Sequence, residues 1–122
     1  HYQSKPYTEN KIISVISGSI YNVVIDLRKD SKTFLKKFVY KLKVETNELL
    51  LIPAGCANAF LTTSNNTIIH YYMSNIFEKE NKNKYKGFQF NDSFFDIKWP
   101  IKVMNLSKKD KSYKLFNLKN LK

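Results

Sequence analysis

The chain has little of several residue types that build common sites. It contains one cysteine, Cys56, and two histidines among 122 residues. A lone cysteine leaves no disulfide within the chain, and no His/Cys cluster has metal-ligand spacing, so no metal site is expected. Only three glycines are present, and none forms a phosphate-binding loop. The sequence therefore predicts a protein of the reducing cytoplasm, without a bound metal.

Long apolar runs are also missing. No stretch reaches the length of a membrane span, and no signal-peptide pattern opens the chain. We therefore expect no membrane partner. The chain begins with His1 and not with methionine, so we expect that something precedes it in the natural protein.

Positive charge is abundant but almost all of it comes from lysine. The formal net charge is +11, and Arg28 is the single arginine. Such a charge favours an anionic partner, but specific nucleic-acid readers rely on arginine forks and clustered basic stripes. Because the lysines here are scattered, we expect no nucleic-acid partner. An anionic small ligand remains compatible with the charge.

Short strands at roughly ten-residue spacing predict an all-β sandwich or barrel in one domain, residues 1–122. The predicted strands are 11–17, 20–28, 33–44, 49–53, 57–63, 67–75 and 85–92. Residues 78–84 are polar and predict a flexible loop. Near the C-terminus, Ser107 as N-cap and Asp110 three residues later predict a short helix.

Alternation along two of these strands predicts a core. Tyr21, Val23, Ile25 and Leu27 share one face, while Asn22, Asp26 and Arg28 lie on the other. In the next strand Phe34, Phe38, Tyr40, Leu42 and Val44 share a face, and Lys37, Lys41 and Lys43 lie on a solvated face. The side chains expected to be largely buried are Tyr21, Val23, Ile25, Leu27, Phe38 and Leu42.

Two reactive residue types have plain structural interpretations. Cys56 follows the turn Pro53-Ala54-Gly55 and is more typical of packing than of a nucleophile. His70 shares a strand face with Ile68 and Tyr72, which favours a structural, hydrogen-bonded histidine.

Four segments carry a resemblance to a known family. "KIISVISGSIYNVVIDLRKDSKTF", "LLLIPAGCANAFL", "FNDSFFDIKWP" and "LSKKD" resemble, in order and spacing, the dTDP-4-dehydrorhamnose 3,5-epimerase family over nearly the whole chain. The resemblance implies a cupin, jelly-roll-like antiparallel β-barrel with a short C-terminal helical tail. It also implies a homodimer that acts in dTDP-rhamnose biosynthesis on a nucleotide-linked, typically dTDP-linked, 4-keto-6-deoxy sugar, without a cofactor.

The family's reaction is proton abstraction next to a ketone, and the resemblance assigns residues to it. His1-Tyr2-Gln3 matches the family's histidine–aromatic–glutamine, which makes His1 the base. Asp110 matches the carboxylate that orients this base, and Lys11 matches a lysine suited to stabilising the enolate oxygen. Gln3, Asn58, Tyr71 and Phe77 match positions that face the substrate.

Three departures from the family leave alternatives open. Asn58 stands where relatives commonly have histidine. Its side chain either positions a carbonyl oxygen of the substrate or has no role in the site. Phe77 aligns with a proton-returning tyrosine and has no proton to give. Relatives also carry several dozen residues before the position of His1. Besides a full 3,5-epimerase, the sequence is therefore compatible with a single-centre epimerase or a catalytically impaired relative that binds nucleotide sugar. A cupin 3,4-ketoisomerase fits less well, because no second histidine follows His1 closely.

Without its leading strands the barrel is expected to expose an edge and an apolar surface, through which it dimerises or aggregates.

Overall fold

A computed structural model describes residues 1–76 and 84–121. Its strands are β1 (Tyr2–Gln3), β2 (Lys11–Ser17), β3 (Ser19–Asp26), β4 (Lys37–Lys43), β5 (Leu49–Ile52), β6 (Cys56–Thr62), β7 (Ile68–Met73) and β8 (Tyr85–Lys86). One α-helix, α1 (Lys108–Ser112), follows near the C-terminus, with 3₁₀ turns at Val44–Thr46 and Leu118–Asn120. Phe77 and all of the predicted loop 78–84 except Lys84 lie outside the described residues.

Two three-stranded antiparallel sheets face each other. Their strand orders are β5-β2-β7 and β4-β3-β6, and β1 pairs with β8 in a separate ribbon. Apolar side chains from both sheets meet between them, because alternate residues of each strand point inward. This inner core contains Ile13, Val15, Ile20, Val24, Leu42, Leu50 and Ile52.

A second core covers the other face of the β4-β3-β6 sheet. Val23, Ile25, Leu27 and Ala57 pack there against Tyr2, Phe95 and Leu121. Strand β3 is therefore buried on both faces. The C-terminal segment forms the cover of this sheet, and the same cover closes one side of the cavity described below.

The predicted core is confirmed in part. Val23, Ile25, Leu27 and Leu42 are buried, whereas Tyr21 is only partly buried. The prediction for Phe38 is wrong, because its side chain is 38% exposed. Strand β4 lies at a sheet edge, and only its Leu42 end joins the inner core.

Several strand bounds also differ from the predictions. The strand expected over 33–44 begins only at Lys37, because Leu35 turns back and donates its N–H to the carbonyl of Asp26 at 2.7 Å. The strand expected over 85–92 is just two residues long.

The polar face predicted for β3 is not solvated, since Asn22 and Asp26 are 0% and 2% exposed.

Candidate active site

A cavity of about 440 Å³ runs along β6, which lies at the edge of its sheet. It takes side chains from both faces of that strand, from β2 and β7, and from the C-terminal segment. Its polar lining includes His1, Lys11, Asn58, Tyr71, Gln89, Asn105, Ser107 and Asp110, and its aromatic lining consists of Phe60, Phe88, Phe90 and Trp99 besides Tyr71. Residues far apart in sequence thus share one open cavity of a size typical for small ligands.

His1 is held at this cavity by its main chain and by its ring. Its N–H donates to the carbonyl of Asn58 at 2.9 Å, and the N–H of Asn58 donates back to the carbonyl of His1 at 2.8 Å. The ring Nε2 forms a hydrogen bond with Oδ1 of Asp110, and this contact becomes an ion pair when the ring is protonated. The edge of the ring contacts Tyr113, with ring centroids 5.3 Å apart. When Nε2–H donates to the carboxylate, Nδ1 is left with the lone pair that a general base needs.

Asp110 is held in position by Ser107, the N-cap residue of α1. The hydroxyl of Ser107 accepts the N–H of Asp110 at 3.0 Å and donates to Oδ2 of the same residue at 2.5 Å, which confirms the predicted cap. Partial burial acts to raise the pKa of Asp110, but hydrogen bonds from Ser107 and His1 and the nearby cations outweigh it and hold this pKa below its usual range. The carboxylate of Asp110 is therefore ionised near neutral pH, where it can accept a hydrogen bond from the His1 ring.

Lys11 begins β2 and lines the cavity from the opposite sheet. It lies across from Met73 of β7, and Ile13, two residues on, lies across from Tyr71. Lys11 and Tyr71 consequently face inward together. The Nζ of Lys11 is 3.4 Å from Oε1 of Glu9, whose side chain is only 4% exposed. The cation at the cavity is thus paired with a buried carboxylate behind it.

Asn58 has two roles in this geometry. Its main chain holds His1, as described above, and its side chain lines the cavity. The side-chain Oδ1 is buried and has no hydrogen-bond partner in the part of the chain that the structure describes. Burial also raises the pKa of the neighbouring cavity residue Tyr71, whose ring lies 6.4 Å from that of Phe60. A protonated phenol and an amide oxygen without a partner in the described residues therefore face the same cavity.

Of the seven residues that the sequence assigned to the site, five come together, one lies elsewhere, and one is outside the described residues. His1, Lys11, Asn58, Tyr71 and Asp110 share the cavity. Gln3 is buried elsewhere and lines a second cavity of about 570 Å³. Phe77 lies outside the described residues.

Sequence reasoning missed three contributors. Glu9 stands two residues before Lys11, a spacing that places both on one side of an extended chain. Tyr113 stands three residues after Asp110, a spacing that brings neighbours together on one helical turn. Trp99 belongs to the quoted segment "FNDSFFDIKWP", which carried the resemblance but received no role.

The other reactive residues lie outside the cavity. Cys56 is partly buried beside Asp26, and burial together with that carboxylate raises the pKa of its thiol. The hydrogen-bonded role expected for His70 is not what the structure shows, because the ring is exposed and its centroid lies 4.6 Å from that of the Tyr72 ring.

Within residues 1–76 and 84–121, no three His, Cys, Asp or Glu side chains cluster as metal ligands would. No helix in the same residues has both the length and the apolar character to cross a membrane.

Comparison with known proteins identifies one family. The family model described as dTDP-4-dehydrorhamnose 3,5-epimerase matches residues 1–117. A protein of that name from Shigella flexneri is 33% identical over 110 residues, which are 90% of this chain and 59% of the relative. The chain thus spans about three fifths of the length of the curated relatives it matches.

Solved structures of similar proteins give the same result. The dTDP-4-dehydrorhamnose 3,5-epimerase of Bacillus anthracis, with TDP and PPi bound, superposes with a TM-score of 0.87 at 35% identity, over 94% of this chain and 64% of that one. The dTDP-6-deoxy-D-glucose-3,5-epimerase of Legionella pneumophila, in complex with dTDP-4-keto-L-rhamnose, gives 0.83 at 30% identity, over 93% and 59%. These matches confirm the predicted cupin-type, jelly-roll-like fold.

Proposed function

Because the chain belongs to the dTDP-4-dehydrorhamnose 3,5-epimerase family, we propose that it epimerises a nucleotide-linked 4-keto-6-deoxy sugar. The observation that carries this proposal is the His1–Asp110 pair at a cavity that Lys11 lines from the opposite sheet. A base and a cation at the same cavity are what removal of a proton next to a ketone requires.

In the proposed mechanism, each group has one task. His1 takes the proton from the carbon next to the ketone, and Asp110 fixes the ring and stabilises the imidazolium that forms. Lys11 stabilises the negative charge that develops on the ketone oxygen. A proton that comes from solvent is returned on the opposite face to complete the inversion, and the imidazolium of His1 gives its proton back to solvent. One C–H bond is broken and another is formed at the same carbon. The oxidation state of that carbon is therefore unchanged, and the reaction needs no redox cofactor.

The proposed substrate is dTDP-linked. The Bacillus anthracis relative binds TDP, and the Legionella pneumophila relative binds dTDP-4-keto-L-rhamnose. In this chain, the aromatic lining of the cavity offers flat surfaces for a base or a sugar. The net charge of +11 favours a diphosphate. A cytoplasmic location is part of the same proposal, and the unpaired Cys56 supports it.

A homodimer also belongs to the proposal. The outward face of the β5-β2-β7 sheet exposes an apolar patch, which we call the outer patch and define as Ile12, Leu49, Leu51, Ile68 and Tyr72. Leu49, Leu51, Ile68 and Tyr72 are each more than half exposed. Contiguous apolar surface of this kind is typical of protein interfaces, and a second copy of the chain is the partner we propose.

A single-centre epimerase is the second candidate, and Phe77 favours it. By the family resemblance this residue matches a proton-returning tyrosine, and a phenylalanine ring has no proton to give. One of the two centres would then be deprotonated without being inverted efficiently.

Nuclear magnetic resonance can test the proposed activity on the natural full-length protein with dTDP-4-keto-6-deoxyglucose. We expect inversion at carbon 3, carbon 5 or both, and a loss of at least about 100-fold in His1→Asn and Asp110→Asn, in line with general acid–base catalysis. The control is Asp30→Asn, which changes an exposed aspartate outside the cavity and the outer patch and should keep the wild-type rate. Tight binding of the substrate without any inversion would show instead a relative that only binds nucleotide sugar.

A further inference from the structure

Glu9 is a buried acid directly behind the cavity. Its side chain is 4% exposed, and the cation it meets is Lys11, at 3.4 Å. Its Oε1 has no hydrogen-bond partner within the described ranges. A carboxylate taken out of water is costly unless a charge compensates it. The burial of Glu9 thus depends on Lys11, and the position of Lys11 depends in turn on Glu9.

The main chain that carries this pair is fixed by the residue between them. The N–H of Asn10 donates to the Ser74 hydroxyl at 2.9 Å, and the N–H of Ser74 donates to the Asn10 carbonyl at 3.0 Å. The Asn10 side chain accepts the N–H of Ala54 at 2.8 Å. Three hydrogen bonds therefore tie this residue to the end of β7 and to the turn between β5 and β6. Glu9 and Lys11 project from a clamped backbone to the same side.

Glu9 itself does not line the cavity, whereas Lys11 does. A lysine side chain has four rotatable bonds and loses much conformational freedom when it is held in one place. A fixed acid on a fixed backbone removes that freedom before substrate arrives, which is the preorganisation that stabilising a developing charge needs.

We propose that Glu9 is a positioning residue that holds the ammonium group of Lys11 at the cavity, ready for the developing enolate oxygen. This inference rests on the proposed epimerase function for its catalytic consequence, but the coupling between the two side chains does not. Glu9 acts only through Lys11 and touches neither substrate nor the reacting atoms.

The kinetic test compares Glu9→Gln with the wild-type protein in its natural full-length form. Glutamine keeps the shape and removes the charge. We expect kcat to fall about tenfold or more with KM changed less than about threefold, because the lysine is misplaced mainly for the transition state. Glu45→Gln removes an exposed carboxylate from the 3₁₀ turn after β4 and should leave both constants unchanged. In the background of Lys11→Met, Glu9→Gln should cost nothing further in kcat.

An activity-independent readout accompanies this cycle. Lys11→Met leaves a buried, unpaired carboxylate, so the double variant with Glu9→Gln should have a higher denaturant midpoint than Lys11→Met alone. Additive midpoints, or a kcat loss in Glu9→Gln that persists in Lys11→Met, would overturn the inference. If the wild-type protein turns over no substrate, the proposed function fails, and the denaturation cycle alone still decides whether Glu9 and Lys11 are coupled.

Discussion

At the scale of single residues, Asp26 shows how a buried charge can organise the chain around it. The Nε of Arg28 donates to one of its oxygens at 2.9 Å, and Nη2 donates to the other at 2.8 Å. The hydroxyls of Ser31 and Thr33 each donate to the carboxylate at 2.6 Å. These bonds hold the connection from β3 to β4 in place, and β3 carries the Val23 and Ile25 side chains that line the cavity.

Asp26 should make the protein sensitive to acid. The hydrogen bond from Arg28, together with those from Ser31 and Thr33, lowers the pKa of Asp26 against the opposing effect of burial. A carboxyl whose folded pKa lies below its unfolded value of about 3.9 stabilises the fold above that pH, and this stabilisation is lost as pH falls through the folded pKa. We therefore expect the free energy of unfolding, measured by denaturant titration, to decrease steadily from about pH 5 to pH 2.

The variant Asp26→Asn tests this origin of the acid sensitivity. At pH 7 it should lose about 2 kcal/mol of stability, because the buried carboxylate that accepts the hydrogen bonds of Arg28, Ser31 and Thr33 loses its charge, and its stability should depend less on pH below 5. Asp30→Asn, which changes an exposed aspartate, should stay within about 0.5 kcal/mol of wild type. An unchanged acid profile in Asp26→Asn would contradict this assignment.

Alternation predicted the sides of β3 correctly but not the burial of its polar side. Val23, Ile25 and Leu27 share a face as expected, but Asn22 and Asp26 face the interior as well. A period of two distinguishes the two faces of a strand; it does not report whether the polar face is covered by a second layer. That information comes only from the opposing sheet.

At the scale of elements, the strands with strong alternation were predicted best. The strand expected over 11–17 matches β2 at both ends, and the one expected over 57–63 begins and ends one residue later than β6 does. The ribbon of β1 and β8 was not predicted as such, because each of its strands is two residues long. A two-residue strand has no period to read, and its partner is more than 80 positions away in sequence.

The outer patch makes a prediction about assembly. Leu51 lies on the edge strand β5 of that sheet and is 61% exposed, and Leu115 in the C-terminal segment is 58% exposed. If the patch is the dimer interface, Leu51→Lys should shift sedimentation of the natural protein from dimer to monomer, because a lysine charge would be buried without a partner. Leu115→Lys is the matched control and should remain dimeric. A dimer that survives Leu51→Lys would place the interface elsewhere.

At the scale of the whole molecule, the cavity joins residues from both ends of the described chain. His1 and Asp110 are separated by 109 positions, and Lys11 comes from the opposite sheet. No spacing rule predicts such a meeting, because it depends on how the sheets and the C-terminal segment pack. The family resemblance supplied these three residues. Glu9 and Tyr113, which contact them directly, had to be found in the structure.

The central claim is that His1 removes a proton from the carbon next to the ketone. The most direct measurement is solvent exchange: the natural full-length protein is incubated with dTDP-4-keto-6-deoxyglucose in heavy water, and deuterium at carbon 3 and carbon 5 is followed by nuclear magnetic resonance. We predict that deuterium enters faster than the centres invert, because Phe77 cannot return a proton, and that His1→Asn abolishes exchange while Asp30→Asn retains it. Exchange that continues in His1→Asn, or its absence in the wild-type protein, would contradict the account.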